Sequence, residues 1–384
     1  MLRRISLEPS RFALHLAVIL IVVLWTFPTA GLLVSSFRDK NQIAVSGWWT
    51  ALTTSERNTA GRMKGSADQA ERDGRFVISG NLFEGTESSG VIKAFGTRVQ
   101  KPDAYPVGTV AELENGQTLL ANADASYELS SPTAFDNERG GRVFFVSAVP
   151  PRFTTENYGT VLFSEGIGRS FINSLTVTIP ATIIPILIAA FAAYALAWMK
   201  LPGRGLLIAI IVGLLVVPLQ MSLIPLLRLY NAAGNFLGVP SKTYLGIWLA
   251  HTGFGLPFAI YLLRNYIAGL PKDLIESAQV DGANDFKIFR RIILPLSFPA
   301  LASFTIFQFL WVWNDLLVAI VFLGSGEDQL VLTGKLNALL GSRGGNWEIL
   351  TASAFITIIV PLLVFFGLQR YFVRGLLAGS VKGG

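Results

Sequence analysis

Long apolar runs separated by polar segments set the pattern of this 384-residue chain. A helix needs about 20 apolar residues to cross the hydrocarbon core of a bilayer. Six runs reach this length, at residues 12–36, 170–199, 205–227, 243–267, 298–323 and 347–369. The pattern therefore predicts an all-α membrane protein with six transmembrane helices.

The composition supports this prediction. Hydrophobic residues make up 52% of the chain and charged residues 15%, with a mean hydropathy of +0.52, whereas soluble domains are about 25% charged. The chain has no cysteine and only two histidines, His15 and His251. This excludes disulfides and thiolate chemistry and argues against a zinc site, so we assign no catalytic residue and no metal ligand.

Basic residues cluster in tails and connections that six spans would place on one side of the membrane. The positive-inside rule makes that side cytoplasmic, so both termini are predicted to be cytoplasmic. The clusters are Arg3, Arg4 and Arg11; Lys200 and Arg204; Lys272, Lys287, Arg290 and Arg291; and Arg370, Arg374 and Lys382. Topology thereby explains the net charge of +6, and we predict no nucleic-acid partner.

The first run has an alternative interpretation as a cleaved signal peptide, because both begin with basic residues and continue with an apolar stretch. Signal peptides have an apolar region of about 7–15 residues. The run at 12–36 is longer, so a retained transmembrane helix of a multi-pass protein is favoured.

A polar insert separates the first two runs. Residues 37–168 carry 13 Lys and Arg against 16 Asp and Glu, a net charge of −3. Short β-like runs at 75–79, 90–95, 107–113, 118–122 and 142–149 alternate with turn residues. We predict three regions: 1–36 with the first helix, a small β-rich periplasmic insert at 37–168, and a helical core at 169–384. The polar stretch 53–73 is predicted to be a mobile loop.

The connection between the fourth and fifth runs, 268–297, is longer than the few residues that usually join antiparallel helices. Pro271 suits the first turn of a short helix, with Asp273 at the positive end of its dipole. Gly282 permits the turn that ends this helix. A second, basic amphipathic helix begins near Asn284, with apolar positions at Phe286, Phe289, Ile292 and Ile293.

The spacing within this connection resembles the EAA loop of permease subunits in bacterial binding-protein-dependent ABC importers. The matching positions are Glu276, Ser277 (where alanine is commonest), Ala278, Gly282, Ile292, Leu294 and Pro295. A motif is supported by its context, and this one falls in the predicted cytoplasmic loop of a six-span protein. The resemblance implies an ABC importer permease of type I in the bacterial inner membrane, coupled to an ATPase through Glu276, Ala278, Asp281 and Gly282.

The resemblance also implies partners: a pair of ATPase subunits, a second permease subunit in a heterodimer, and a periplasmic solute-binding protein. The chain has no Gly-x-x-x-x-Gly-Lys-Ser/Thr phosphate loop, so the ATPase is expected to bind ATP and magnesium. This chain would then be a transport subunit that works by alternating access, not an enzyme.

Weaker similarities concern the cargo. Trp48-Trp49, the Asn173-Ser174 start of the second run and the C-terminal tail resemble the maltose-permease branch of the family, which imports carbohydrates. The tail residues are Gln369, Arg370, Gly375, Gly379, Val381 and Lys382. The long insert is similar to that of α-glucoside permeases. The resemblance therefore implies import of an α-glucoside such as maltose, sucrose or trehalose.

Polar and aromatic residues inside the predicted spans are candidates for the translocation path, because polar groups are costly in hydrocarbon unless they face a partner or a water-filled route. The candidates are Gln220, Gln308, Trp311, Trp313, Asn314 and Asp315. Interhelical hydrogen bonding is the alternative role. We expect His251 to be packed and hydrogen-bonded, and Pro218 and Pro225 to kink the third span.

Three other functions stay open at this point. Asp315 would suit an ion-driven secondary transporter, although the sequence shows no convincing internal repeat of the kind common in such transporters. A permease of the same family could carry a solute other than a sugar. A membrane-anchored enzyme would need its chemistry in 37–168, where the sequence shows no catalytic cluster.

Overall fold

The computed structural model describes residues 9–86, 90–342 and 344–378. Several residues used in the predictions lie outside these ranges: Arg3, Arg4, Gly379, Val381 and Lys382. The chain divides into two compact units, Met1–Thr154 and Thr155–Gly384. The division into 1–36, 37–168 and 169–384 stays a prediction.

The first unit begins with helix α1, Pro9–Ser36, whose apolar side chains are exposed along most of its length. The short helix α2, Lys40–Ile43, follows. Two hydrogen bonds join this segment to the end of the unit: Thr154 N donates to the Phe37 carbonyl at 2.7 Å, and Gln42 Nε2 donates to the Pro150 carbonyl at 2.7 Å. The two ends of the intervening region are therefore held side by side.

Between these ends, the described chain forms two antiparallel sheets. The strands are β1 Ser55–Arg62, β2 Ala70–Arg72, β3 Arg75–Asn81, β4 Val91–Gly96, β5 Tyr105–Pro106, β6 Val110–Glu112, β7 Thr118–Ala121, β8 Ser126–Ser131 and β9 Arg142–Val149. The strand orders are β1-β9-β4-β5 and β2-β3-β8-β7-β6. A β-rich region thus lies between α1 and the later helices.

The prediction of a mobile loop at 53–73 is wrong. This stretch contains β1 and β2, and β1 pairs with β9 over its whole length, from Ser55 opposite Val149 to Arg62 opposite Arg142. β1 is an edge strand, and most of its residues are exposed. It therefore lacks the alternation of apolar and polar residues from which a half-buried strand is predicted.

Apolar side chains fill the core of the β-rich region. Leu82, Ile92, Phe95 and Phe145 are completely buried there. Tyr127 is also buried, and its hydroxyl accepts a hydrogen bond from the backbone N–H of Lys64 at 2.6 Å. Burial raises the pKa of Tyr127 because the charged phenolate is disfavoured away from water.

The described secondary structure of the second unit is helical. The helices are α3 Glu156–Gly159, α4 Ile167–Trp198, α5 Arg204–Leu214, α6 Leu219–Leu237, α7 Tyr244–Ala268, α8 Lys272–Val280, α9 Asp285–Ile288, α10 Leu294–Leu296, α11 Phe298–Asn314, α12 Leu316–Phe322, α13 Leu332–Ser342 and α14 Trp347–Ala378. Single π-helical turns lie at Thr160–Ser164 and Phe289–Ile293. Helix α4 packs against α7 and α11, with small residues such as Ala181 and Ala193 buried, which permits close approach.

By length and composition, four helices among the described residues can cross a membrane: most of α1, α4, α7 and the Trp347–Phe372 part of α14. Two bent pairs raise the number to six if each pair forms one span. Helices α5 and α6 meet at 103°, and Asp285–Leu296 meets α11 at 70°. The fold is that of a helical membrane protein with four to six candidate spans.

Two of the predicted spans are not continuous helices. The run 205–227 breaks before Pro218, which lacks an N–H and has an extended ψ of 127°, and α6 begins after it. Helix α5 ends at Leu214, so Pro218 lies at the break and precedes the first turn of α6 instead of kinking a continuous helix, and Pro225 lies inside α6. The run 298–323 breaks at Asp315, whose carboxylate accepts a hydrogen bond from Val318 N at 3.0 Å and caps α12.

Candidate functional site

The predicted coupling loop, 268–297, contains helix α8 between Pro271 and Gly282. Pro271 precedes the first helical residue, and Asp273 lies in the first turn, where the helix dipole favours a negative charge. Gly282 has a φ of +76°, and Ala283 N donates to a carbonyl of the preceding turn at 3.0 Å. Glycine adopts this left-handed conformation without a steric cost, so it suits the end of α8.

Most of α8 is exposed. Ile275 is buried and holds the helix against the rest of the unit, and Ala278 packs in the same cluster. The exposed members of the predicted coupling set on this side are Glu276, Ser277, Asp281 and Gly282. Val280 is 87% exposed, and it is apolar. The helix therefore offers a partner a small surface of mixed polarity.

Glu276 forms an ion pair with Lys272, one turn earlier, at 2.6 Å. Its hydrogen bond and negative charge raise the pKa of Lys272. Because both side chains are more than half exposed, the pair contributes little to stability. The pair places the Glu276 carboxylate beside the Lys272 ammonium on the exposed side of α8.

The second half of the loop is anchored to α4. Phe289 is buried and packs against Phe191 and Tyr194, with ring centroids 4.5 and 5.6 Å away. The Tyr194 hydroxyl donates a hydrogen bond to the Asp285 carboxylate at 3.0 Å. Trp198 Nε1, one turn further along α4, donates to a carbonyl at the end of α7 at 3.1 Å. A displacement of the loop would therefore be transmitted to α4.

The buried face of this second half differs from the apolar face predicted from the sequence. Phe286 is 61% exposed, whereas Ile288 is buried together with Phe289 and Ile293. The π-helical turn at Phe289–Ile293 spans one residue more than an α-helical turn, which changes the positions that face inward. The remaining motif residues are Ile292, which is half-buried, and Leu294 and Pro295, which are exposed.

Two cavities lie beside α7 and α11. The larger, of about 600 Å³, is lined by parts of α5, α6 and α7 together with Trp311. The smaller, of about 230 Å³, lies between α7 and α11. Phe254 and Trp311 line both cavities. The lining residues in the described part of the chain are apolar, aromatic or neutral polar, and none carries a charge.

Two of the predicted path residues reach the cavities. Trp311 is 37% exposed and faces both, and Gln308 lines the smaller one. Gln308 is otherwise buried, and its Nε2 donates to the Ala181 carbonyl of α4 at 3.0 Å. The side chain lies against Gly255 of α7, where a Cβ would come within 2.6 Å of Gln308 Oε1. Gln308 therefore bridges three helices.

The other predicted path residues lie elsewhere. Trp313 is buried and donates through Nε1 to the Thr357 carbonyl of α14 at 3.0 Å. Asn314 is exposed and bonds to a carbonyl of its own helix, and Asp315 caps α12. Gln220 is exposed in the first turn of α6. None of these four lines either cavity in the described structure.

His251 lies on α7 near this region and is completely buried. Its imidazole meets the Trp311 indole edge to face, with centroids 5.6 Å apart and planes at 90°. Packing is as predicted, but the predicted hydrogen bond is wrong: within the described residues, neither ring nitrogen has a partner. An unpaired buried polar group is costly.

Sequence reasoning missed three other residues at these sites: Tyr194, Phe254 and Val280. Val280 could have been found as an exposed apolar exception on a mostly polar short helix. Tyr194 and Phe254 lie in continuously apolar runs, where no local signal separates a residue that contacts a loop or a cavity from one that faces lipid.

The second unit combines candidate membrane spans with a polar loop tied to them and cavities with uncharged walls. This combination is typical of a membrane transport subunit. Within 9–86, 90–342 and 344–378, no three His, Cys, Asp or Glu side chains are grouped to hold a metal ion. Residues 166–377 match the family described as binding-protein-dependent transport system inner membrane component, and the chain belongs to this family. It is a multi-pass inner-membrane permease of an ABC importer, not itself an enzyme. Such importers also contain a separate ATPase, which binds ATP, and a periplasmic binding protein.

Two permeases and one solved structure are similar to much of the chain. It is 68% identical, over 98% of both chains, to the alpha-glucoside transport system permease protein AglG of Rhizobium meliloti (strain 1021). It is 63% identical to the osmoprotective compounds uptake permease protein GgtD of Synechocystis, over 60% of this chain and 76% of the relative. A crystal structure of a bacterial ABC transporter that imports alginate has 25% identity and a TM-score of 0.49, covering 59% of this chain and 82% of that one.

Proposed function

We propose that this chain is the permease of an importer for α-glucosides. The observation that carries the proposal is the 68% identity over 98% of the chain to an alpha-glucoside permease. The uncharged, partly aromatic walls of the two cavities also suit a neutral solute with rings, because aromatic faces pack against the C–H faces of sugars. Maltose, sucrose and trehalose are solutes of this kind.

In the proposed topology α5 and α6 form one span and α11 and α12 form another, while Asp285–Leu296 stays in the cytoplasmic loop before α11. This gives six spans with both termini in the cytoplasm. The basic clusters then lie on the cytoplasmic side, and the β-rich insert at 37–168 lies in the periplasm. The helical core at 169–384 pairs with a second, different permease subunit. This complex binds a pair of ATPase subunits and the solute-binding protein.

The proposed docking element for the ATPase is α8, because it is an exposed helix fixed to the unit by Ile275. Glu276, Ala278, Asp281 and Gly282 would contact the ATPase or shape the surface that does, with Val280 as an added apolar contact. Closure of the ATPase pair would then displace the loop, and the Tyr194–Asp285 hydrogen bond and Phe289 would carry the displacement to α4.

The proposed translocation path passes Trp311 and Phe254, which line both cavities. Gln308 contributes a buried bridge beside the path, and Trp313 holds α14 against α11. Asp315 caps α12 and lines neither cavity. Its position therefore gives no support to an ion-driven mechanism that would use this carboxylate.

Uptake by the complete complex in proteoliposomes tests the substrate. We expect ATP-dependent accumulation of labelled maltose, sucrose or trehalose when the ATPase, the second permease and the binding protein are present. A charged disaccharide acid of similar size serves as the matched control and is expected to be excluded. Accumulation of the acid, or of none of the three sugars, would contradict the α-glucoside assignment.

A second candidate is the uptake of osmoprotective compounds, because the GgtD relative is 63% identical. Glycine betaine in the same proteoliposomes tests whether the complex accepts an osmoprotective compound that is not a sugar. Under the α-glucoside proposal, excess glycine betaine leaves maltose uptake unchanged.

A further inference from the structure

The imidazole of His251 is a buried, unpaired polar group that the proposed mechanism does not use. It is 0% exposed, and both Nδ1 and Nε2 lack a hydrogen-bond partner within the described chain. A neutral imidazole has one donor and one acceptor nitrogen, and leaving both unpaired away from water destabilises the structure. A leucine of similar size would avoid this cost, so stability does not explain a histidine at this position. A role of the imidazole in another step of the transport cycle would explain it.

The position of His251 relates it to the smaller cavity. Residues four and seven positions apart lie on the same side of a helix, and Gly255 and Phe258, which line that cavity, follow His251 at these spacings. His251 itself lines neither cavity. The indole of Trp311 contacts the imidazole and also faces both cavities.

We propose that His251 and Trp311 form a binding site for an uncharged, hydroxyl-rich solute, which opens when the Trp311 indole turns away from the imidazole. One imidazole nitrogen then donates a hydrogen bond to a sugar hydroxyl and the other accepts one, while the indole packs against the face of the sugar ring. This inference rests on the proposed function and adds to it the side chain that recognises the hydroxyl groups.

The walls of the cavities explain why this imidazole would matter. The larger cavity has few polar side chains, among them Ser222 and Tyr230. The smaller one has Gln308, whose amide nitrogen already bonds to α4. A sugar that lost its water there would lack partners for several hydroxyls. His251 supplies a donor and an acceptor without adding a formal charge, which suits a neutral solute.

The test uses the complete complex in proteoliposomes with His251→Leu, His251→Gln and Thr333→Val. Thr333 is the matched control, because its Oγ1 is likewise buried without a partner in the described structure but lies on α13, away from both cavities. We expect His251→Leu to lower sugar uptake per ATP hydrolysed about tenfold, as for one lost hydrogen bond of about 1.4 kcal/mol. His251→Gln keeps most of the uptake, and Thr333→Val keeps all of it.

Thermal unfolding of the same variants separates binding from packing. His251→Leu should unfold at the wild-type temperature or above it, since an apolar side chain replaces an unpaired polar one. Full uptake by His251→Leu would overturn the proposed site, and so would a loss of uptake that merely follows a loss of thermal stability. If the wild-type complex accumulates none of the sugars, the α-glucoside proposal itself fails. If the wild type transports sugar and the His251→Leu variant transports it equally well, only the His251 site fails.

Discussion

The predicted coupling loop and the helix bundle around α11 use polar residues in opposite ways. In the loop, Glu276 and Asp281 are exposed, and a proline and a glycine define the helix that presents them. In the bundle, Gln308 and Trp313 of α11 are buried and donate hydrogen bonds to carbonyls of α4 and α14. Polar residues in the loop are thus available to a partner, whereas those in the bundle mostly hold helices together and leave Trp311 to face the cavities.

Changing Gly282 to aspartate is expected to have the largest effect, because the loop depends on this backbone position. A side chain at a φ of +76° costs roughly 1–2 kcal/mol and adds bulk and charge beside the proposed docking surface. We expect Gly282→Asp to abolish ATP-dependent uptake in proteoliposomes while the subunit still inserts in the membrane.

The control for this variant is Gly238→Asp. Gly238 has a similar φ of +68°, and a Cβ added at either glycine would have no neighbouring atom within 4 Å. Gly238 differs in position, because it follows the end of α6 and lies outside the loop. It should carry a similar backbone cost and retain uptake. Equal losses from the two variants would show that strain, not docking, explains the effect.

The bundle is expected to respond through stability. In Gly255→Ala the new Cβ would lie within 2.6 Å of Gln308 Oε1, so Gln308 must move and weaken its bond to α4. We expect a loss of about 1–3 kcal/mol in the free energy of unfolding, measured by thermal unfolding in detergent. Gly253→Ala, two residues earlier with no atom within 4 Å, should be neutral or stabilising. The reverse order would contradict the role given to Gln308.

The link between the two regions is expected to give the smallest effect. Tyr194→Phe removes the hydroxyl that bonds to Asp285 while keeping the ring against Phe289, a loss of about 1 kcal/mol. Uptake per ATP hydrolysed should fall severalfold. Tyr261→Phe is the control, because no hydrogen bond of the Tyr261 hydroxyl occurs within the described chain and its side chain is 43% exposed. Unchanged uptake in Tyr194→Phe would show that the displacement reaches the bundle by another route.

The sequence predicts the helices of the coupling loop better than it predicts the break between α11 and α12. Pro271, Gly282 and Asn284 are local signals, and the structure places α8 and the cap of α9 where they indicate. In contrast, the break at Asp315 is not evident within an apolar run, because a carboxylate in a span fits a helix cap as well as a path residue. The exchange of Phe286 for Ile288 on the buried face arises from a π-helical turn, which has no simple periodic signature.

Long-range pairing limits prediction in the first unit in a similar way. β1 is polar and mostly exposed, and it becomes a strand by pairing with β9. β9 contains four consecutive apolar residues, Val143 to Val146, and is recognisable from its own residues. The local pattern therefore identifies the central strand but not the edge strand that depends on it.

Site-specific cross-linking tests the central claim, that α8 docks on the ATPase, most directly. The chain has no cysteine, so Val280→Cys and Phe236→Cys each introduce a unique thiol, at side chains 87% and 89% exposed. In the assembled complex, a bifunctional thiol reagent should join position 280 to an ATPase carrying single cysteines in its surface, in a manner that changes with ATP, and position 236 should form no such product. Cross-linking of position 236 alone, or of both positions equally, would contradict docking through α8.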